Sequence, residues 1–137
     1  MKILPAFVLL ILIISCTKKE DVYKDVYYKS VNGNDTAILA LKMSEKRFFG
    51  RYEIIYPKFG KDSGDVRGNI NGDTLRGDFH YISNGGTWKR VPLALLKKQN
   101  KLIQGKGVIG IYMNLPCFIN GTLSYKEPDF IFDEVKK

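Results

Sequence analysis

The sequence predicts an all-β protein: one domain, a small antiparallel up-and-down barrel of about eight strands. Two observations predict it. After residue 25, apolar and polar side chains alternate with period two, as in strands with one buried and one solvated face. Turn-forming residues recur between the alternating stretches: Asn32-Gly33, Ser44-Glu45, Lys61 to Gly64, Asn71-Gly72, Asn84-Gly85-Gly86, Gln99-Asn100 and Asn120-Gly121. Connections this short make a meander. A meander of eight or more strands tends to close on itself, which removes its open edges. A two-sheet β-sandwich is the alternative the same pattern allows.

In chain order, the strands fall near 26–31, 36–43, 47–56, 64–70, 74–82, 87–97, 101–112, 119–125 and 129–135. In the third, Phe48, Gly50, Tyr52, Ile54 and Tyr56 share one face, against Arg47, Arg51 and Glu53. In the fourth, Val66, Gly68 and Ile70 oppose Asp65, Arg67 and Asn69. In the fifth, Leu75, Gly77, Phe79 and Tyr81 oppose Arg76, Asp78 and His80. Gly50, Gly68 and Gly77 all fall on inward faces. Glycine there marks bends or close backbone approach, as at the corners of a strongly coiled barrel, and leaves space for a cavity. From Pro92 onward the chain also fits a helix start with proline in the first turn. Val91, Leu93 and Leu95 alternate equally well as a strand, which is the reading adopted, with Pro92 at an edge or bulge.

Charge fixes a register that periodicity leaves open. If Ile70 pairs with Asp73, Arg67 lies opposite Arg76 and Asp65 opposite Asp78, and like charges directly across are unfavourable. If Ile70 pairs with Leu75, Arg67 meets Asp78 and Asp65 meets His80, on the same inward faces. The second register is expected.

The amino terminus is of another kind. Lys2 precedes an aliphatic run from Ile3 to Ile14, 12 residues broken only by Pro5. A spanning helix needs roughly 20 residues, so the run has the length of a signal-peptide core. It ends Ile13-Ile14-Ser15-Cys16, which resembles the lipobox of bacterial lipoproteins. The resemblance implies cleavage before Cys16, a diacylglyceryl thioether on its sulfur and acylation, for example by palmitate, of its new amino group. Thr17 stands where aspartate would favour inner-membrane retention, so the resemblance implies the outer membrane. Lys19-Glu20-Asp21 resembles the export signal of Bacteroidota surface lipoproteins. The expected organisation is a signal peptide at 1–15, a lipidated tether at 16–25 and one β domain at 26–137. A flexible tether of this length reaches roughly 15–18 Å, so the domain sits close to its membrane.

Removing residues 1–15 leaves 122 residues with 21 basic and 14 acidic side chains. The excess is uneven. The 48 positions between Asp78 and Glu127 hold no acid, but they hold Lys89, Arg90, Lys97, Lys98, Lys101, Lys106 and Lys126. The rest of the mature chain is balanced. The later strands are therefore expected to give the barrel a basic side for an anionic partner: lipid headgroups, acidic polysaccharide or an acidic protein. Lys97, Lys98 and Lys101 flank one tight turn. Trp88, beside Lys89 and Arg90, either closes the end of the core or contacts a sugar or lipid at the rim, and the first is preferred.

Catalytic signatures are lacking. There is no Gly-x-Ser-x-Gly elbow and no phosphate loop, and a single histidine with one cysteine beyond the lipobox makes no zinc site. With Cys16 acylated, Cys117 has no disulfide partner and reads as a small apolar filler. Glu53, Asp65 and Asp78 alternate with the core face and point outward, and His80 reads as a surface residue. Gly64 to Phe79 is similar to small secreted or lipidated β-domains of Bacteroidota, and loosely to lipocalin-like and META-type domains. The expectation is an outer-membrane, monomeric, non-enzymatic binding module without cofactor, metal or nucleic-acid partner. A lipocalin-like carrier of an apolar ligand and a glycan-acting enzyme are the alternatives.

Overall fold

The alternating stretches become strands in a computed structural model that describes residues 16–136. The expected signal peptide at 1–15 lies outside them. The strands are β1 (Lys24–Asn32), β2 (Asp35–Met43), β3 (Arg47–Tyr56), β4 (Gly60–Asn71), β5 (Thr74–Ile82), β6 (Trp88–Lys98), β7 (Lys101–Gln104), β8 (Ile109–Tyr112), β9 (Leu115–Phe118) and β10 (Ile131–Val135). Eight of them close an antiparallel barrel in the order β1-β10-β7-β6-β5-β4-β3-β2, and β8 and β9 form a separate hairpin. The barrel is therefore the up-and-down meander, with one excursion between β7 and β10.

The β4–β5 hairpin adopts the register that charge selects: Ile70 pairs with Leu75, Arg67 with Asp78 and Asp65 with His80. Pro92 lies inside strand β6, opposite Asp78. The β6–β7 ladder covers only Leu95 to Lys98. Ala94 O accepts the Gly105 N–H on that side. Two residues earlier, the Pro92 nitrogen points the same way, past the ladder's end, so its missing N–H breaks no ladder bond.

Two strand expectations need correction. Residues 101–112 are not one strand: β7 stops at Gln104, the chain leaves the barrel, and β8 begins at Ile109. Residues 119–125 are not a strand at all. They turn at Asn120-Gly121, where Gly121 has φ +79°, and among the described residues their one strand-like pairing is the Lys106–Ser124 bridge. Gly105 makes the departure possible: a Cβ there would stand 2.7 Å from Leu123 Cδ1, so the returning segment crosses directly over it. The last strand is consequently short and seals the barrel with three pairs to β7 and three to β1.

Side chains fill the interior. Tyr28, Leu39, Leu41, Phe48, Tyr52, Val66, Leu75, Phe79, Leu95, Leu102 and Phe132 are all buried along the axis. Tyr52 packs at 4.6 Å from Phe79 and 5.9 Å from Phe132, ring centre to ring centre. Where Gly68 faces Gly77, the strands approach so closely that a Cβ on Gly77 would fall 1.9 Å from Arg67 O. The expected inward glycines thus tighten the wall instead of opening a cavity.

Candidate functional site: an arginine wall outside the barrel

All five arginines of the chain, Arg47, Arg51, Arg67, Arg76 and Arg90, fall between positions 47 and 90. Each occupies an outward position on β3 to β6, because each alternates with a core residue. The ladders then stack them in three rows across the outer wall. Arg47 pairs with Asn69 and Asn69 with Arg76. Phe49 pairs with Arg67, and Arg67 with Asp78. Arg51 pairs with Asp65, Asp65 with His80 and His80 with Arg90. The tight glycine contacts lie behind these rows.

The wall is grooved. One groove of about 390 Å³ is lined by Phe49, Arg51, Asp65, Arg67, His80 and Arg90 among others. A second of about 560 Å³, lined by Tyr23, Arg47, Phe49, Arg67, Arg76 and Asp78, shares Phe49, Arg67 and Asp78 with it. Together they make one arginine-lined surface. Aromatic rings stand at two of its corners: Tyr23 meets Phe49 edge-on at 5.1 Å, and His80 lies 4.7 Å from Trp88.

Two carboxylates balance part of the charge. Arg51 bonds Asp65 at 3.0 Å and the Ser63 hydroxyl oxygen at 2.8 Å. Arg90 reaches Asp78 at 3.4 Å. Among the described residues, Arg47, Arg67 and Arg76 form no ion pair. Their guanidinium groups are exposed and free to take an anion bidentately. At the wall's edge, a hydrogen bond from the Ser63 hydroxyl holds Glu53 below its ordinary carboxylate range, and Lys61 adds to the effect. Glu53 is thus committed to its neighbours.

The residues singled out in the sequence are dispersed. Lys97, Lys98 and Lys101 do flank one turn, with Lys98 paired to Lys101 across it. That turn lies at the barrel end where the chain enters β1, since β1 begins there at Lys24 and β10 ends there. The expected basic side, however, is partly neutralised. Closure brings the acids of the β10 region beside β7, so Lys101 bonds Asp133 and Lys106 bonds Asp129 at 3.0 Å. Lys89 is exposed, and Arg90 belongs to the arginine wall. Trp88 does not close the core: it is 61% exposed and lies outside, against His80. Cys16 is exposed and Cys117 half-buried, both unbridged. Glu53, Asp65, Asp78 and His80 all sit on the outer face, as their alternation requires.

Sequence reasoning did not single out the wall, although its signal was present. Every arginine occupies an outward position in the strands 47–56, 64–70, 74–82 and 87–97, while lysines spread over the whole chain. No protein-family model matches this chain, and no curated protein or solved structure matches it.

Proposed function

We propose that this protein is a lipid-anchored, non-enzymatic binding module of the outer membrane that holds an acidic polysaccharide on its arginine wall. The observation that carries the reading is the convergence of all five arginines on one grooved face, three of them without an acidic partner. Charge selects an anion, and the extended surface suits a polymer more than a single small ion. The aromatic rings of Phe49, Tyr23 and Trp88 offer apolar faces on which sugar rings stack. An internal ligand, as in a lipocalin-like carrier, is less well supported, because core side chains occupy the barrel axis.

The lysine turn supports the anchored orientation. With Cys16 acylated, Lys97 and Lys98 face the leaflet, where each would add about 1 kcal/mol of attraction to anionic headgroups. The wall then stands to the side of the barrel, open to the space above the membrane. Cleavage and acylation at Cys16 are tested by fatty-acid labelling of the full-length chain. Label should disappear in Cys16→Ala, and label that persists rules the anchor out.

Binding is tested with detergent-solubilised protein on immobilised polygalacturonate, dextran sulfate and neutral dextran. Retention on the two acidic polymers alone, falling steeply with salt, is expected. Equal retention on neutral dextran would rule out charge as the basis of recognition.

A further inference from the structure

The β8–β9 hairpin plays no part in that reading. Gly107 to Tyr125 contains no charged residue, the longest such run in the chain at 19 positions. Within it, Ile111 and Tyr112 are each 70% exposed and Met113 79%, with Val108, Ile109 and Leu115 also exposed. The turn is Met113-Asn114, with φ of +49° and +64°. Such two-residue turns favour Asn-Gly. A bulky apolar side chain held in this region, and aimed at water, costs stability in the isolated molecule.

The hairpin lies away from the tether. β7 starts at the tether end and runs toward the opposite rim. There Lys106 meets Asp129, and Asp129 O accepts a bond from the Asn32 amide at the far end of β1. Among the described residues β8 and β9 pair only with each other, and β9 lies against β6, so the open edge is that of β8. A two-stranded ribbon is marginal by itself.

We propose that this hairpin is a self-association surface that joins two copies of the chain. Three observations select a second copy. The chain carries a net charge of +8, so copies repel over most of their surface. The hairpin is the longest stretch where two copies meet without facing like charges. Its exposed apolar residues, three of them at least 70% exposed, form the kind of surface that a standard interface buries at roughly 800 Å² per partner. The open β8 edge can pair with its own copy across a two-fold axis, which satisfies backbone groups that lipid would leave unsatisfied. Pairing at the rim away from the tether also lets both copies stay anchored in one leaflet. It leaves the two arginine walls available to one polymer chain. The dimer replaces the monomer expected from the sequence and does not depend on what the wall binds.

The test is cysteine cross-linking of the full-length protein in its own membranes. Leu115→Cys in a Cys117→Ala background should give an oxidised species of twice the chain mass. Glu45→Cys, at the tether end, should give at least ten-fold less. Adding Ile111→Lys and Tyr112→Lys to the Leu115→Cys protein should cut the dimer about ten-fold, while Ile111→Val and Tyr112→Phe keep it. The changed residues project from the barrel, and an unchanged thermal midpoint of the lysine variant confirms that the barrel is intact. Absence of the dimer band, its persistence with both lysines, or a cross-link to a species of different mass would overturn the proposal.

Discussion

The arginine wall and the lysine turn carry charge of the same sign and little else in common. The wall is grooved, backed by a packed core and framed by rings. Its cations sit on strands whose positions the ladders fix. The turn is exposed, its lysines reach into water on flexible stems, and Lys101 is already occupied by Asp133. The difference teaches that an excess of charge along the sequence does not locate a binding surface. Backbone geometry decides which cations converge, and barrel closure decides which are neutralised. Arginine also brings a planar fork that matches carboxylate and sulfate, whereas lysine brings a hydrated point charge.

The harshest way to break the wall is through its backing. Gly77→Ala places a Cβ 1.9 Å from Arg67 O, a backbone atom that cannot swing aside. We expect a loss of about 3 kcal/mol in denaturant unfolding, with polyanion retention lost in parallel. An unchanged midpoint would show that close strand approach does not shape the wall. The lysine turn contains no such contact, and Gln99→Gly there should be neutral or slightly stabilising, because Gln99 has φ +59°.

The direct comparison exchanges charge without touching the backbone. Replacing Arg47, Arg67 and Arg76 by glutamine should weaken polygalacturonate binding about 100-fold, close to 3 kcal/mol at about 1 kcal/mol per exposed contact. The same exchange at Lys97, Lys98 and Lys101 should change it less than about three-fold. Equal losses in the two triple variants would reduce the wall to net charge.

Why one region was visible in the sequence and the other was not follows from the same contrast. Strands β2 to β6 were legible because each has a full period-two pattern and a turn on either side. The β4–β5 register was legible because Arg67 and Asp65 had only one arrangement without like charges. The basic run from Lys89 to Lys126 overstates the charge of its side, because the strand that closes the barrel beside it comes later in the chain and brings acids. Asp129 and Asp133 lie far along the sequence, and only closure through β10 sets them beside β7. Residues 101–125 were misread for another reason. Ile109, Ile111, Leu123 and Tyr125 alternate like core residues, but Gly105, Gly107 and Gly121 break the path and turn the segment outward.

One buried bond couples the two regions. Tyr52, inside β3 behind Arg51, donates its hydroxyl at 3.0 Å to Gln104 Oε1 on β7, the strand that leaves the lysine turn. Tyr52→Phe should cost about 1 kcal/mol, since Gln104 loses its partner. The pH dependence has a definite sign. Burial pushes the Tyr52 hydroxyl well above its ordinary 10.0. A group whose folded pKa is raised stabilises fully below its unfolded pKa and loses that contribution as pH rises through the folded one. Wild-type stability should therefore fall above about pH 10, and more steeply than that of Tyr52→Phe. Parallel alkaline curves would show that another tyrosine dominates. Tyr28, Tyr56, Tyr81 and Tyr125, also raised chiefly by burial, are the alternatives.

The smallest expected effect separates folding from binding most cleanly. Asp78 lies opposite Arg67 in the ladder, yet its ion pair is with Arg90 at 3.4 Å, and both groups are about a third exposed. A pair this long and this wet contributes well under about 1 kcal/mol. Asp78→Asn should accordingly leave the thermal midpoint within a degree or two. It removes one of the two carboxylates in the grooves and frees Arg90, so polyanion binding should tighten about three-fold, most visibly at low salt. The matching exchange beside the lysine turn, Asp133→Asn, frees Lys101 in the same way but should leave binding unchanged. If Asp133→Asn tightened binding as much as Asp78→Asn, the polymer would be responding to total charge, and the wall would have no privileged place. If only Asp78→Asn tightens it, the anion sits within reach of Arg67 and Arg90, and the acid that trims the wall's charge also limits its affinity.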